Sequence, residues 1–207
     1  MPSEAISNFQ LDVLQEVCNI GLGNAATALA DILHKKIEIA VPRACFVDFE
    51  EVFKMVGGLE EVVACVSLDL EGDVPGTVLF IFNERSVYRL LDMLFEREAG
   101  STGELDELST SAVMEIGNVL TGSFVNAIGD MTGLLLQTTV PMFAFDMMGA
   151  ILSTSLVASG HWEDRVLVIE TLFHQEQEKI SGHFFLLPET GALERLFAAL
   201  GLTPGEQ

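Results

Sequence analysis

The chain repeats one spaced pattern of residues in its two halves. The pattern is a small polar residue, a glutamate four positions on, an asparagine three positions further, and a proline after 22 more residues. Its members are Asp12, Glu16, Asn19 and Pro42 in the first copy, and Ser111, Glu115, Asn118 and Pro141 in the second, 99 residues later. Such a repeat predicts two copies of one fold unit, related by an internal pseudo-twofold axis.

The similarity of the two halves continues after the pattern, since 76–95 resembles 182–201 at an offset of 106 residues. Hydrophobic periodicity predicts in each half a long helix, a strand, a short helix, a strand hairpin and a closing helix. Ser7 and Gln10 predict a capping box before the first long helix. The predicted ranges are 9–33, 37–49, 50–57, 61–82 and 84–96 in the first half, and 105–131, 134–144, 145–158, 165–188 and 189–200 in the second.

The polar, glycine-containing segment 97–104 is typical of a joint between the halves. We therefore expect a first repeat at 1–103 and a second at 104–207, which together make one compact domain. Each half has only a few strands, so the halves are expected to share one core. The predicted class is α/β, in the layered α+β sense: a shared, mainly antiparallel sheet with two long helices packed on it.

Composition excludes several functions. A net charge of −21 disfavours nucleic-acid binding, because phosphates would be repelled. No uncharged apolar run is long enough for a membrane span, and the first ten residues lack a signal-peptide pattern. The three cysteines (Cys18, Cys45, Cys65) are odd in number and lack metal-ligand spacing. We therefore expect buried, reduced thiols, no metal site and a cytoplasmic location.

The spacing of the pattern fixes where its polar members lie on each long helix. Offsets of zero, four and seven residues fall within a stripe about 60° wide. The opposite face is apolar in both helices and is expected to be buried. That face carries Leu14, Val17, Cys18, Gly21, Ala25, Ala28 and Ile32 in the first helix, and Val113, Ile116, Gly117, Leu120, Phe124, Ala127 and Met131 in the second.

A polar stripe is most often simply the solvent-facing side of a helix, but small residues continue this one. They are Gly23, Ala26 and Ala30 in the first helix, and Gly122, Val125 and Gly129 in the second. Glycine costs about 1 kcal/mol inside a helix, so a generic wet face would avoid it. The stripe therefore favours a surface that another protein approaches closely.

The chemistry of the stripe points to its amide. The sequence has no phosphate-binding glycine loop and no nucleophile elbow. An asparagine offers a donor and an acceptor together, and can orient a water for attack on a phosphoryl group held elsewhere. The glutamate can pair with a lysine of the partner and fix the register of docking.

The pattern resembles the signature of the CheC/CheX/FliY family of chemotaxis phosphatases. The resemblance rests on "EVCNIGLGNAATAL" (16–29) and "EIGNVLTGSFVNAI" (115–128), and it extends over essentially the whole chain. Two intact motifs without an appended switch domain are most similar to the CheC-type members. One departure is Cys18, where the family usually has glycine and the second copy has Gly117. Because position 18 lies on the apolar face, we expect a packing adjustment there.

The resemblance implies a two-component signalling enzyme whose substrate is the aspartyl phosphate of a CheY-type response regulator. Asn19 and Asn118 would orient the attacking water, and Glu16 and Glu115 would pair with the regulator's lysine. Asp12 and Ser111 would assist docking, while Pro42 and Pro141 would be structural. The chain would bring no cofactor of its own, because the regulator carries Mg²⁺.

The family resemblance also implies a second partner, the receptor deamidase CheD. The segment "DMMGAI" (146–151), expected to be helical and to begin at Asp146, looks like its docking element. The alternative to catalysis is a non-catalytic adaptor that binds CheD or the phosphorylated regulator. Intact Glu/Asn pairs in both halves favour the enzyme, because a pure adaptor does not need them.

Overall fold

A computed structural model describes residues 8–33, 38–159, 165–175 and 178–202 of the chain. Six helices and seven strands occur in these ranges. The first half contains α1 (Asn8–Leu33), β1 (Glu38–Asp48), α2 (Phe49–Val56), β2 (Val62–Gly72), β3 (Gly76–Asn83) and α3 (Glu84–Leu94). The second contains α4 (Glu107–Thr132), β4 (Leu136–Thr138), β5 (Met142–Met147), α5 (Met148–Ser159), β6 (Arg165–Gln175), β7 (Glu178–Pro188) and α6 (Ala192–Ala199).

The seven strands form one antiparallel sheet in the order β1-β6-β7-β3-β2-β4, with β5 also paired to β2. The first strand of each half pairs with a strand of the other half: β1 with β6, and β4 and β5 with β2. The two halves meet at the β3–β7 ladder in the middle. The predicted fold class is confirmed. The halves share one sheet because the first strand of each half pairs with a strand of the other half.

The sheet separates two apolar clusters. The larger cluster joins α1, α3, α4 and α6 to one face of the sheet, where Phe80, Phe82 and Phe184 are buried. The smaller cluster joins α2 and α5 to the other face through residues such as Val52 and Ile151. The long helices and the short middle helices therefore lie on opposite faces. None of the helices that the structure describes is long and apolar enough to span a bilayer.

The start and end of α4 follow from local chemistry. Asp106 caps the helix, with its carboxylate accepting the Ser109 N–H at 2.7 Å. Aspartate is among the residues favoured at this position, because its carboxylate accepts an N–H that has no partner inside the helix. Gly133 ends the helix in the left-handed conformation, at φ 72°, which glycine adopts without steric cost. The corresponding cap predicted for α1, at Ser7, lies outside the described residues.

The strand predicted at 134–144 is wrong as a single element. It is broken into β4 and β5, and residues 139–141 between them lie outside both ladders. Pro141 cannot donate a ladder hydrogen bond. Thr139 donates its N–H to the Asp69 carbonyl and accepts the Asp69 N–H with its hydroxyl, both at 3.0 Å. The segment between β4 and β5 is therefore held to β2 by the hydrogen bonds of Thr139 and not by regular strand pairing.

Candidate functional site

The first polar trio lies on the outer face of α1. Asp12, Glu16 and Asn19 are exposed, as the helical spacing predicted. Neither Asp12 nor Glu16 has a hydrogen bond or ion pair with any other residue that the structure describes. Both carboxylates are thus available to an incoming cation.

The trio faces outward because the other side of α1 is anchored in the core. Leu14, Val17 and Cys18 are almost completely buried in the cluster between the long helices and the sheet. Gly21 lies where α1 approaches α4, since a Cβ there would be 3.0 Å from the Phe124 Cα and 3.1 Å from the Ser123 carbonyl oxygen. The close helix crossing fixes the rotation of α1, and with it the direction of the trio.

Asn19 is attached to the neighbouring strand. The Val41 N–H donates to the Asn19 Oδ1 at 3.1 Å, and the Gln15 Nε2 donates to the Val41 carbonyl at 3.1 Å. Val41 directly precedes Pro42 in β1. Pro42, for which the family resemblance implies only a structural role, therefore lies beside the residue that holds the asparagine.

The second polar trio lies on α4 in the corresponding place, with different local bonding. Ser111 and Glu115 are exposed, and Asn118 is partly exposed. The Ser111 hydroxyl donates to the Glu107 carbonyl at 2.8 Å, and it can still accept a bond from a partner. Within the described ranges, Asn118 has no hydrogen bond, and Val140, before Pro141, is 80% exposed. The two sites share side chains and orientation, but only the first has its amide tethered to a strand in this way.

Position 18 differs from position 117 because the packing beneath the two helices differs. A Cβ on Gly117 would be 2.6 Å from the Val66 Cγ1 and 2.8 Å from its Cβ, so only glycine fits without movement. Cys18 is accommodated with its side chain fully buried. Burial raises the pKa of the Cys18 thiol, which remains protonated and packs as a small apolar group.

Two sequence expectations about α4 are wrong. Val125, predicted on the exposed stripe, is buried in the same cluster against which Leu134 and Leu136 pack, because the chain after α4 folds back beside the helix. Met131, predicted on the buried face, is 47% exposed because it lies in the last turn, one residue before the helix ends. The small residues Gly23 and Gly122 both have open space beyond them, in agreement with an approachable surface.

The predicted helical docking segment at 146–151 also needs correction. Asp146 belongs to β5, where it pairs with Val63, and α5 begins at Met148. The Asp146 side chain is exposed and accepts the Met147 N–H at 2.7 Å. A groove of 620 Å³ lies beside it, lined by residues of β2, β5 and α5. This groove is on the sheet face opposite to the long helices, so it is separate from both trios.

Gln15 and Val41 are the site residues that sequence reasoning missed. Gln15 was one polar residue among several on α1, and Val41 contributes only backbone atoms. The available signal was the proline, because its fixed distance from the asparagine in both halves indicates that the strand beside it meets the helix.

A search among known proteins gives sequence relatives along nearly the whole chain. Residues 9–45 and 108–143, which contain the two trios and their prolines, match the model of the CheC-like family. The CheY-P phosphatase CheC of Bacillus subtilis (strain 168) is 37% identical over 201 residues, covering 95% of this chain and 96% of that protein. The flagellar motor switch phosphatase FliY of the same organism is 24% identical over 119 residues, covering 57% of this chain and 31% of that protein.

Solved structures share the architecture at lower sequence identity. Thermotoga maritima FliY superposes with a TM-score of 0.78 at 20% identity, covering 95% of this chain and 98% of that one. The FliM middle domain from H. pylori superposes with a TM-score of 0.68 at 10% identity, covering 94% and 99%. The interleaved sheet with two long helices is thus a fold found in several proteins.

Proposed function

This chain belongs to the CheC-like family, and we propose that it is an enzyme that hydrolyses the aspartyl phosphate of a CheY-type response regulator in chemotaxis signalling. The observation that carries the proposal is the outward Glu/Asn pair on the exposed face of both long helices. The relative of 37% identity, which is named a CheY-P phosphatase, supports the substrate.

The proposed reaction is an in-line attack of water on phosphorus. Asn19 or Asn118 enters the regulator's active site and holds the water through its amide. The bond between phosphorus and the aspartyl oxygen breaks, which leaves free aspartate on the regulator and releases inorganic phosphate. The Mg²⁺ that neutralises the phosphoryl oxygens belongs to the regulator, and the chain contributes no cofactor of its own.

Glu16 and Glu115 are proposed to align the two proteins. Each carboxylate is exposed and lies one helical turn before the asparagine. A lysine beside the regulator's phosphorylation site would pair with it, and this contact would fix the register in which the amide reaches the phosphoryl group. Asp12 and Ser111 continue the same stripe toward the start of each helix and would extend the docking surface.

Replacing both asparagines by alanine tests the mechanism. We expect the double variant N19A/N118A to release phosphate from the Mg²⁺-loaded, phosphorylated regulator at least about 100-fold more slowly than the unmodified protein, because the water loses its orienting group. Each single variant should keep the turnover of its remaining site.

The matched control replaces Asn24 and Asn126, which are exposed on the same two helices but lie outside the trios. The variant N24A/N126A should retain turnover within about twofold, because surface changes away from the trios leave the amides in place. Unchanged phosphate release by N19A/N118A would refute the proposed mechanism.

A second partner is proposed on the opposite face of the sheet. The exposed Asp146 and the start of α5 would dock a CheD-type receptor deamidase, a suggestion that rests on the family resemblance. If N19A/N118A still captures the deamidase while the unmodified protein shows negligible turnover, the chain is the adaptor considered as the alternative. A cytoplasmic location belongs to the same proposal, because the regulator and the deamidase act there.

A further inference from the structure

β1 carries a bulge at the position of the proline. Ala40 pairs with Leu172 and Arg43 pairs with Glu170, so Val41 and Pro42 together stand opposite the single residue Thr171. Two residues facing one is the geometry of a β-bulge, which bends a strand and takes a residue out of regular pairing. Proline is tolerated there because it has no N–H to lose.

Two side chains of α1 form hydrogen bonds with the backbone groups of Val41, which the bulge leaves unpaired in the sheet. The Val41 N–H donates to the Asn19 Oδ1, and the Val41 carbonyl accepts from the Gln15 Nε2, both at 3.1 Å. Gln15 and Asn19 are four residues apart and therefore lie on the same side of the helix. One strand residue is thus held at both of its polar groups by two side chains of consecutive helical turns.

This arrangement determines which way the Asn19 amide points. A backbone N–H can only donate, so the atom facing it must be the carbonyl oxygen of the side chain. The Nδ2 group is then directed away from Val41, while Oδ1 keeps a second lone pair. The exposed amide presents two N–H donors and one acceptor position in a fixed order before any partner arrives.

We propose that Gln15 is a positioning residue for the first site. By holding the Val41 carbonyl, Gln15 fixes the peptide whose N–H orients Asn19, and so reduces the conformational freedom that the amide must lose in the transition state. The inference rests on the proposed phosphatase function and adds a residue that does not touch the substrate.

The second site provides an internal comparison. Met114 occupies the position four residues before Asn118, and its side chain has no group that can donate to a carbonyl. Thr139 before Val140 is held by Asp69 of β2, and no hydrogen bond links Asn118 to the rest of the described chain. The effect of Gln15 should therefore be confined to the first site.

Turnover measured one site at a time tests this proposal. In the N118A background only the first site remains, and Gln15→Met installs there the side chain that the second site has. We expect kcat for the phosphorylated regulator to fall on the order of tenfold with KM changed less than about twofold, because docking residues are intact while the amide is less ordered. Gln15→Lys, which keeps a donor for the Val41 carbonyl, should restore kcat to within about threefold.

The N19A background supplies the matched control. With only the second site active, Gln15→Met should leave both kcat and KM unchanged within about twofold, because that site has no Gln15 contact. An equal fall of kcat in both backgrounds, or a rise in KM alone, would show a general structural or docking role and would overturn the proposal. Midpoints of urea unfolding confirm that each variant is folded.

Amide hydrogen exchange of the unmodified protein gives a second readout that needs no Gln15 variant. The Val41 N–H should be protected although it is outside the ladder, and the protection should be lost in N19A. Rapid exchange of Val41 in the unmodified protein would refute the tether.

The proposed function and the proposed role of Gln15 can be refuted independently of each other. If N19A/N118A is inactive while Gln15→Met has no effect in the N118A background, only the role of Gln15 is wrong. If N19A/N118A is fully active, the proposed function itself fails.

Discussion

At the scale of single residues, the two sites differ most in what lies directly beneath and beside the asparagine. Val66 of β2 occupies the space that a side chain at Gly117 would need, whereas Cys18 carries a buried thiol at the matching position. Asn19 is held by Val41, whereas Asn118 is not held within the described residues. The repeat keeps the outward side chains of the pattern, while the contacts that support them have diverged.

Replacing Gly117 by alanine should destabilise the protein. The added Cβ would be 2.6 Å from the Val66 Cγ1, so α4 or β2 must move. Overpacking of this kind costs about 1–3 kcal/mol, while alanine returns about 1 kcal/mol of helix preference. We expect a net loss of up to about 2 kcal/mol in the free energy of unfolding, measured by urea denaturation.

Gly122 is the matched control for this substitution, since it lies in the same helix and an added Cβ there would meet open space beyond the helix's own adjacent backbone. Gly122→Ala should stabilise the protein by up to about 1 kcal/mol. Adding Val66→Ala to Gly117→Ala should give a smaller loss than the sum of the single changes. A Gly117→Ala protein stabilised as much as the Gly122→Ala protein would contradict the close approach of Val66.

At the scale of elements, periodicity predicted the long helices to within two residues at each end because their apolar stripes are continuous. The break between β4 and β5 was not predicted, because it depends on how Thr139 bonds to Asp69, 70 residues away in sequence. The same limit applies to Asn19, whose Val41 partner contributes only a backbone group. The pattern of side chains predicts which face of an element is buried, but it does not predict which backbone N–H or carbonyl a bulge leaves unpaired in the sheet.

The joint between the halves is organised by one buried carboxylate at the end of α3. Asp92 accepts the Gly100 N–H at 2.6 Å, the Ser101 hydroxyl at 3.0 Å and the Thr102 N–H at 2.9 Å. Burial alone would raise the pKa of Asp92, but these hydrogen bonds, with that of the Thr102 side chain, outweigh it and hold the pKa below its ordinary value. The predicted joint is therefore a structured turn.

Replacing Asp92 by asparagine should loosen that turn. One carboxylate oxygen becomes an NH₂ group that cannot accept a backbone N–H, so we expect a loss of about 2–3 kcal/mol in the free energy of unfolding at neutral pH. The folded pKa is lower than the unfolded one, so the contribution of Asp92 is complete above the ordinary pKa of 3.8. That contribution disappears as the pH falls through the folded value.

Urea unfolding of the two proteins should therefore give a constant difference from pH 7 to about pH 5, which narrows below about pH 4. Asp130, which is exposed on α4, provides the control. Asp130→Asn should change stability by less than about 0.5 kcal/mol. A difference that widens as the pH falls would contradict the assignment.

At the scale of the whole molecule, the sheet explains why a repeat so clear in sequence does not produce two separate units. β1 finds its partner in β6, and β4 and β5 find theirs in β2, so the outer strand on each side comes from the opposite half. α1 and α4 cross at Gly21, which places the two trios on one side of the sheet while α2 and α5 cover the other. The surfaces proposed for the regulator and for the deamidase therefore lie on different faces of the sheet.

The interleaved sheet predicts how the halves behave when they are separated within the joint. Expressed alone, 1–103 and 104–207 should not give a folded monomer, because each leaves its first strand unpaired and one long helix without its neighbour. Each half should associate with itself or remain unfolded, since two copies can exchange first strands as the halves do in the intact chain. Mixing the two halves should restore a one-to-one complex with the helical and strand content of the intact protein.

Light scattering after size-exclusion chromatography, together with circular dichroism, distinguishes these outcomes. Phosphate release by the one-to-one complex would show that both trios are rebuilt when the strands are exchanged. The matched control is a pair of fragments cut at the turn between β2 and β3, which separates two strands of one half and should recombine less well. A stable, monomeric, cooperatively unfolding single half would contradict the shared core, because its first strand would then have to close on its own sheet.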